Sequence, residues 1–257
     1  MKVVILCGGM GTRMKEETEF KPKPLVLIGK YPILWHIMKH YSYYGFNEFI
    51  LCLGYKGEMI KEYFLNYEYM TNDFTLILDG KKTIELHRKD NFENWKITFV
   101  DTGLETNTGG RIKRIEKFIN DDDFFCTYGD GVSDVNLLKL LEFHKKHRKI
   151  VTMTGLHPVS KFGVIKVDKN NIANYFVEKP VMDDLISGGY FVFNKKIFDY
   201  LDDNSILEKE PFEILAKKRE IAVFKHDGFW MCMDTYKEAQ KLNEIWYSGK
   251  APWKIWE

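Results

Sequence analysis

Val3-Val4-Ile5-Leu6-Cys7-Gly8-Gly9-Met10-Gly11-Thr12-Arg13 opens with a short, branched apolar run that stops at glycines. The run reads as a buried strand and the glycines as the turn leaving it. Glycine at such a turn lets backbone N–H groups approach an anion with no Cβ in the way. Arg13 adds a planar, permanently charged fork that suits phosphate oxygens. Two common phosphate loops fail when tested against the segment. A dinucleotide fingerprint begun at Gly9 finds its second glycine at Gly11 but meets Met14 where the third belongs. No acidic residue closes the second strand, which runs into Gly54-Tyr55. A Walker A loop fails because no Gly-Lys-Ser/Thr follows. Alone, the segment says only that an anion is welcome near a strand end, and a turn with no ligand stays open.

Outward from this loop the chain alternates. Pro32 suits a helix N1 position, and helical character runs over 33–44 until Gly45 stops it. A second buried strand is expected over 49–53 and a helix over 58–66, with Ile60, Phe64 and Tyr67 on one stripe. Shorter strands are expected over 74–78, 83–86 and 97–100, the middle ones antiparallel. Gly109-Gly110 opens a helix through Ile119, and a strand over 124–128 ends at Gly129-Asp130-Gly131. A helix over 134–147 and a strand over 150–154 follow. This β-α-β-α order predicts a Rossmann-like, three-layer α/β fold with a mixed, mostly parallel sheet. Strands over 162–167, 172–177 and 189–193, split by polar turns such as Asp168-Lys169-Asn170-Asn171, predict an antiparallel extension. With no Ser- or Pro-rich linker and no repeat, residues 1–257 are expected to form one domain with a C-terminal helical and extended tail.

The charge balance is neutral: 38 basic and 37 acidic residues among 257 leave a net charge of +1. Nothing global favours nucleic acid or an anionic membrane, so any cationic site is local. The apolar start is too short for a secretory leader and no run approaches a membrane span, so the expected compartment is the cytoplasm. Cys7, Cys52, Cys126 and Cys232 lie far apart in apolar stretches and read as buried free thiols.

Lys21-Pro22-Lys23-Pro24 sharpens the reading of the loop, since two prolines hold Lys23 in a fixed direction. A strand, a Gly-Gly-x-Gly-Thr-Arg loop and a Lys-Pro stretch about ten residues on resemble the sugar-phosphate nucleotidyltransferases. That resemblance implies that Arg13 and Lys23 contact the triphosphate and the sugar phosphate. Mg²⁺ would need hard oxygen ligands and only one or two carboxylates. Asp130 ends a buried strand between two glycines, at the carboxyl edge where open α/β sheets bind ligands. Asp234 is the second choice, with a helix N-cap as its competing role. Asp121-Asp122-Asp123 reads as a solvated turn. Thr108-Gly109-Gly110-Arg111 puts another Gly-Gly and an arginine at a helix start, an anion-friendly arrangement or a mere turn with a surface arginine. Glu178-Lys179 sets an acceptor beside a donor, suited to sugar hydroxyls or to an exposed charged turn.

Over its whole length the chain resembles the glucose-1-phosphate cytidylyltransferases within that superfamily. The resemblance is carried by Lys21-Pro22-Lys23-Pro24, Gly54-Tyr55-Lys56-Gly57, Thr108-Gly109-Gly110-Arg111 and Thr127-Tyr128-Gly129-Asp130-Gly131-Val132. Gly228-Phe229-Trp230, Met233-Asp234-Thr235 and the tail 249–257 continue it. It implies that CTP and α-D-glucose 1-phosphate give CDP-glucose and pyrophosphate, for deoxysugar, O-antigen and other surface-polysaccharide precursors. It implies Mg²⁺ on Asp130 and Asp234, and a homo-oligomer for which a hexamer is one form. Leu6, Gly8, Gly9, Gly11, Thr12, Thr108 and Arg111 are then the nucleotide contacts, and Tyr128, Gly163, Glu178, Lys179 and Ser187 the sugar contacts. Two departures stand out. Ser187-Gly188-Gly189 replaces Asn-Gly-Gly, with a hydroxyl that reaches less far than an amide, and Met231-Cys232 replaces Gln-Pro.

A phosphate monoester is mostly dianionic near neutral pH and is already a nucleophile. No general base is therefore required. His36, His40, His87, His144, His147, His157 and His226 read as core or surface residues. The expected reaction is direct attack on the α-phosphorus, with charge management by Arg13, Lys23 and the metal. Another pyrimidine triphosphate, another phosphorylated acceptor, or a silent nucleotide or sugar sensor stay as alternatives.

Overall fold

In the computed structural model, which describes residues 1–87 and 93–257, all four residues of Val3–Leu6 (β1) are buried. The strand is apolar at every position because neighbours cover both of its faces. Val3 and Ile5 enter one core with Phe49, Leu51 and Phe125, while Val4 and Leu6 enter the other with Ile50, Phe124 and Cys126. Two cores on one sheet make the three layers that the alternation predicts.

β1 pairs in parallel with Glu48–Leu53 (β2), which pairs in parallel with Lys96–Asp101 (β3). On its other side β1 pairs in parallel with Asp123–Tyr128 (β4). Val151–Leu156 (β5), Ile186–Asn194 (β6) and Ile221–Lys225 (β7) complete seven strands in the order β7-β5-β6-β4-β1-β2-β3. Only β6 runs against its neighbours β4 and β5. The antiparallel strand thus sits inside the sheet. The hairpin Val164–Val167 with Ala173–Val177 forms a separate pair, as does Asp73–Leu78 with Lys82–His87. β7 is not foreseen in the sequence; its pattern is only partly buried at an edge, so no apolar run marks it.

Helices Ile33–Tyr43 (α1) and Gly57–Leu65 (α2) feed the first core, and Thr108–Arg114 (α3) feeds the second through Ile112. Leu137–His147 (α4) and Tyr236–Tyr247 (α6) join the first core, and Glu210–Lys217 (α5) the second. Two boundaries differ from expectation. The run after Gly110 is α-helical only to Arg114 and then tightens into a 3₁₀ turn at Glu116–Phe118, with Phe118 N bonded to Ile115 O. α4 starts at Leu137, not Asp134, because Gly131–Ser133 pairs with Trp230–Cys232 and keeps that stretch extended. Asn136 then caps α4, accepting from Lys139 N at 3.0 Å.

The tail is anchored by Trp253, which is 1% exposed, stacks on Phe229 and Trp246, and lies beside His36. Burial pushes His36 and His40 down to about 4, so both are neutral core groups near pH 7. Cys7, Cys52 and Cys126 are buried free thiols and Cys232 is half-buried. Among the described residues no helix is long and apolar enough to cross a membrane. β1 has β2 on one side and β4 on the other, so the chain switches direction there. Open α/β sheets bind ligands at the carboxyl edge of such a point.

Candidate active site

At that edge lies a cavity of about 360 Å³ between the ends of β1 and β4. Leu6, Gly8, Gly9, Gly11, Arg13 and Lys23 line one part of it, and Thr108, Arg111, Tyr128 and Asp130 another. Thr12 is not part of the lining. The Lys-Pro stretch works as its prolines suggest. Pro22 is extended at φ −67°, the chain then makes a 3₁₀ turn over Lys23–Leu25, and Lys23 turns inward with its side chain 11% exposed. Its ammonium donates to Asp130 Oδ2 and to Asp234 Oδ1, each at 2.6 Å.

Two carboxylates 104 residues apart in number meet because of the small ladder noted above. Cys232 pairs with Gly131, and Met233 N donates to Asp130 O at 2.8 Å, which sets Asp234 beside Asp130. Asp234 is not the cap of α6. Thr235 accepts from Glu238 N, and Glu238 reaches back to the N–H groups of Asp234 and Thr235 in a capping box. The Asp234 carboxylate is left to meet Lys23, which lines the cavity, while Asp234 itself is not part of the lining. It also meets Arg13 at 2.9 Å, and Cys232 donates weakly to it at 3.8 Å. Burial and Asp234 push the Cys232 thiol up to about 11, so it stays protonated.

Burial opposes both charges in this cluster, yet pairing wins. Asp130 and Asp234 hold the Lys23 pKa above its usual value, and Lys23 with Arg13 hold that of Asp234 below the carboxylate range. A depressed carboxylate stabilises the fold above its unfolded pKa of about 4 and loses that as pH falls through the lower folded value. A raised lysine stabilises it below about 10.5 and loses that at higher pH. The expected result is that Asp234→Asn lowers the melting temperature most between those limits. Melting curves of the two proteins should converge below pH 4.

Arg111 lines the cavity and is no surface side chain. It is 5% exposed, and its guanidinium donates to the carbonyls of Leu53, Gly8, Gly103 and Leu104 and to Thr102 Oγ1. Burial lowers its pKa from the usual arginine value. A Cβ on Gly8 would fall 2.1 Å from Arg111 Nη1, and one on Gly54 2.6 Å from it. Those two glycines make room for a guanidinium that ties the ends of β1, β2 and the segment after β3 together. Arg111→Ala should leave several buried carbonyls unpaired, at a cost of about 2 kcal/mol. Thermal unfolding should fall by roughly 4–8 °C for a chain of this size.

Tyr128 lies flat against the backbone of Gly189, whose φ is +73° and whose Cβ would meet the ring at 2.5 Å. Trp230 Nε1 donates to Gly188 O at 2.7 Å, fixing the Ser187-Gly188-Gly189 run beside Tyr128, although Ser187 is not part of the lining. Glu178 and Lys179 stand elsewhere. Both are exposed at the end of the hairpin strand Ala173–Val177, 3.6 Å apart, and Gly163 lies against Glu178. They do not line the cavity. Asp123, read as part of a solvated turn, begins β4 and holds His144 and Asn194. The lining also includes Thr106, Asn107, Ile206 and Glu208, none singled out from the sequence. Glu208 sits in the charged stretch Leu207-Glu208-Lys209-Glu210-Pro211, where no motif marks it.

The sequence model of the nucleotidyl transferase family matches residues 2–234. This chain belongs to that family. A Bacillus subtilis protein named probable glucose-1-phosphate cytidylyltransferase is 50% identical over all of both chains. A Salmonella typhi glucose-1-phosphate cytidylyltransferase is 46% identical, again over all of both. Among solved structures, HddC from Yersinia pseudotuberculosis complexed with GMP-PN is 25% identical, with a TM-score of 0.69 over 95% of this nucleotidyl transferase and 99% of that chain. A UDP-glucose pyrophosphorylase complexed with UDP-glucose shares the fold at TM-score 0.69 and 18% identity, covering 96% of this chain and 98% of that one.

Proposed function

We propose that this nucleotidyl transferase moves CMP from CTP to α-D-glucose 1-phosphate, releasing pyrophosphate and CDP-glucose. Full-length identity of 46–50% to proteins named for that activity carries the reading. Arg13, Lys23 and Asp130 line one cavity and Asp234 pairs with both cations, which supports it.

Glycines 8, 9 and 11 offer backbone N–H groups to the triphosphate, and Arg13 and Lys23 place positive charge where pyrophosphate leaves. The attacking oxygen belongs to a phosphate that is already anionic, so the site's task is to bring two anions into line. Neutral His36 and His40 are remote from that task. Asp130 and Asp234 fit Mg²⁺. Both oxygens lie 2.6 Å from one nitrogen, so at most twice that separates them. Among the described residues no third His, Cys, Asp or Glu joins them, which suits a cation that keeps water and phosphate oxygens in its shell. When bound there, the ion would supply charge neutralisation on the phosphates.

Tyr128, Ser187, Gly163, Glu178 and Lys179 are assigned to the glucose. The last three act if the hairpin that bears them approaches the cavity. The same hairpin leaves Ile165 58% and Phe176 63% exposed, which supports a homo-oligomer, for which a hexamer is one form. The cytoplasm is the assigned compartment, in line with an activity that uses CTP. Pyrophosphate release measured over CTP, UTP, dTTP and GTP, each with glucose 1-phosphate, tests the reading. CTP is expected to give the highest kcat/KM, and preference for another triphosphate would reject it.

A further inference from the structure

We infer that Glu208 is a specificity-determining residue, whose carboxylate accepts a hydrogen bond from the nucleoside half of the bound triphosphate. The inference rests on the proposed function and names a contact within the same site. Glu208 lines the cavity with Thr106, Asn107, Thr108 and Ile206, and Lys23 and Asp130 line it too. Its two oxygens are each held. Tyr128 donates its hydroxyl to Oε1, and Thr108 donates to Oε2 at 2.7 Å. Burial and the nearby Glu208 charge push the Tyr128 pKa up, so Tyr128 remains a donor.

A carboxylate oxygen has two lone-pair sites, so each keeps one acceptor position after those hydroxyls bind. An ionised carboxylate offers no donor. It therefore repels phosphate and carbonyl oxygens, and the triphosphate must lie toward the cationic end with Arg13 and Lys23. Thr108, a nucleotide contact of the proposed function, holds Oε2 and so assigns that oxygen to the nucleoside, whose donors are the exocyclic amine of cytosine and the ribose hydroxyls. UTP lacks the amine, 2′-deoxy-CTP and 3′-deoxy-CTP each lack one hydroxyl.

Glu208→Gln keeps the shape and one acceptor but loses the charge, and both hydroxyls retain a partner. The test measures kcat/KM of the full-length protein and of this variant with CTP, UTP, 2′-deoxy-CTP and 3′-deoxy-CTP, and KM for glucose 1-phosphate. Expected is a loss of roughly 10- to 100-fold with CTP, the range for a hydrogen bond to a charged group. The loss should shrink with the one analogue that lacks the donor, which identifies it, while the melting temperature holds. Equal losses with all four triphosphates, no loss, or a change confined to glucose 1-phosphate would overturn the inference. A wild-type protein that releases no pyrophosphate from CTP would overturn the proposed function instead.

Discussion

Lys23→Ala is expected to lower kcat/KM with CTP by on the order of 10²- to 10³-fold, the range for removing one preorganised charge-stabilising group. The ammonium sits 2.6 Å from both carboxylates and is 11% exposed, so neither water nor Arg13 can replace it. Arg13 has its side chain 72% exposed and pairs with Asp234 at 2.9 Å. Losing Lys23 would leave Asp130 and Asp234 facing each other without their shared cation. Binding of Mg²⁺ to the free protein should then tighten, since one competitor for the carboxylates is gone, while turnover collapses. Near-normal turnover at saturating CTP and magnesium would mean that Lys23 does not act on the reacting phosphates.

Asp130→Ala is expected to cost a similar 10²- to 10³-fold in turnover but to weaken Mg²⁺ binding. The opposite response of the cation separates the two roles: one residue competes with it, the other holds it. Calorimetric titration of magnesium into the two variants reads the difference directly. Asp130 follows the end of β4, where its backbone carbonyl also receives Met233 N, so the substitution removes the carboxylate and leaves the ladder that places it. Retained turnover at saturating magnesium in Asp130→Ala would remove it from the assignment.

Much of this was legible in the sequence because single residues carry strong constraints there. The all-apolar β1 says that both faces are covered, and prolines on either side of Lys23 say that it is aimed. Asp130 between glycines at a strand end marks the ligand edge of the sheet. Other features needed the fold. Thr235, not Asp234, caps α6, and only the capping-box geometry decides between two adjacent side chains that can both cap. The position of β6 between β4 and β5 depends on long-range pairing, which local periodicity does not encode. Arg111 reads as an anion contact or a surface residue, while in the fold its partners come from segments ending β1 and β2 and from the turn after β3. Glu208 reaches the cavity only because its loop packs beside Thr108 and Tyr128, 100 and 80 residues away.

The central claim is that these groups transfer CMP intact from CTP to a sugar phosphate, and an α-phosphate label follows that event. CTP labelled at the α-phosphorus is incubated with the protein, magnesium and α-D-glucose 1-phosphate, and the products are separated. The account predicts the label in CDP-glucose, with one pyrophosphate released for each labelled product. Label that stays in CTP while the nucleotide remains tightly bound, or that appears as free CMP, would contradict it.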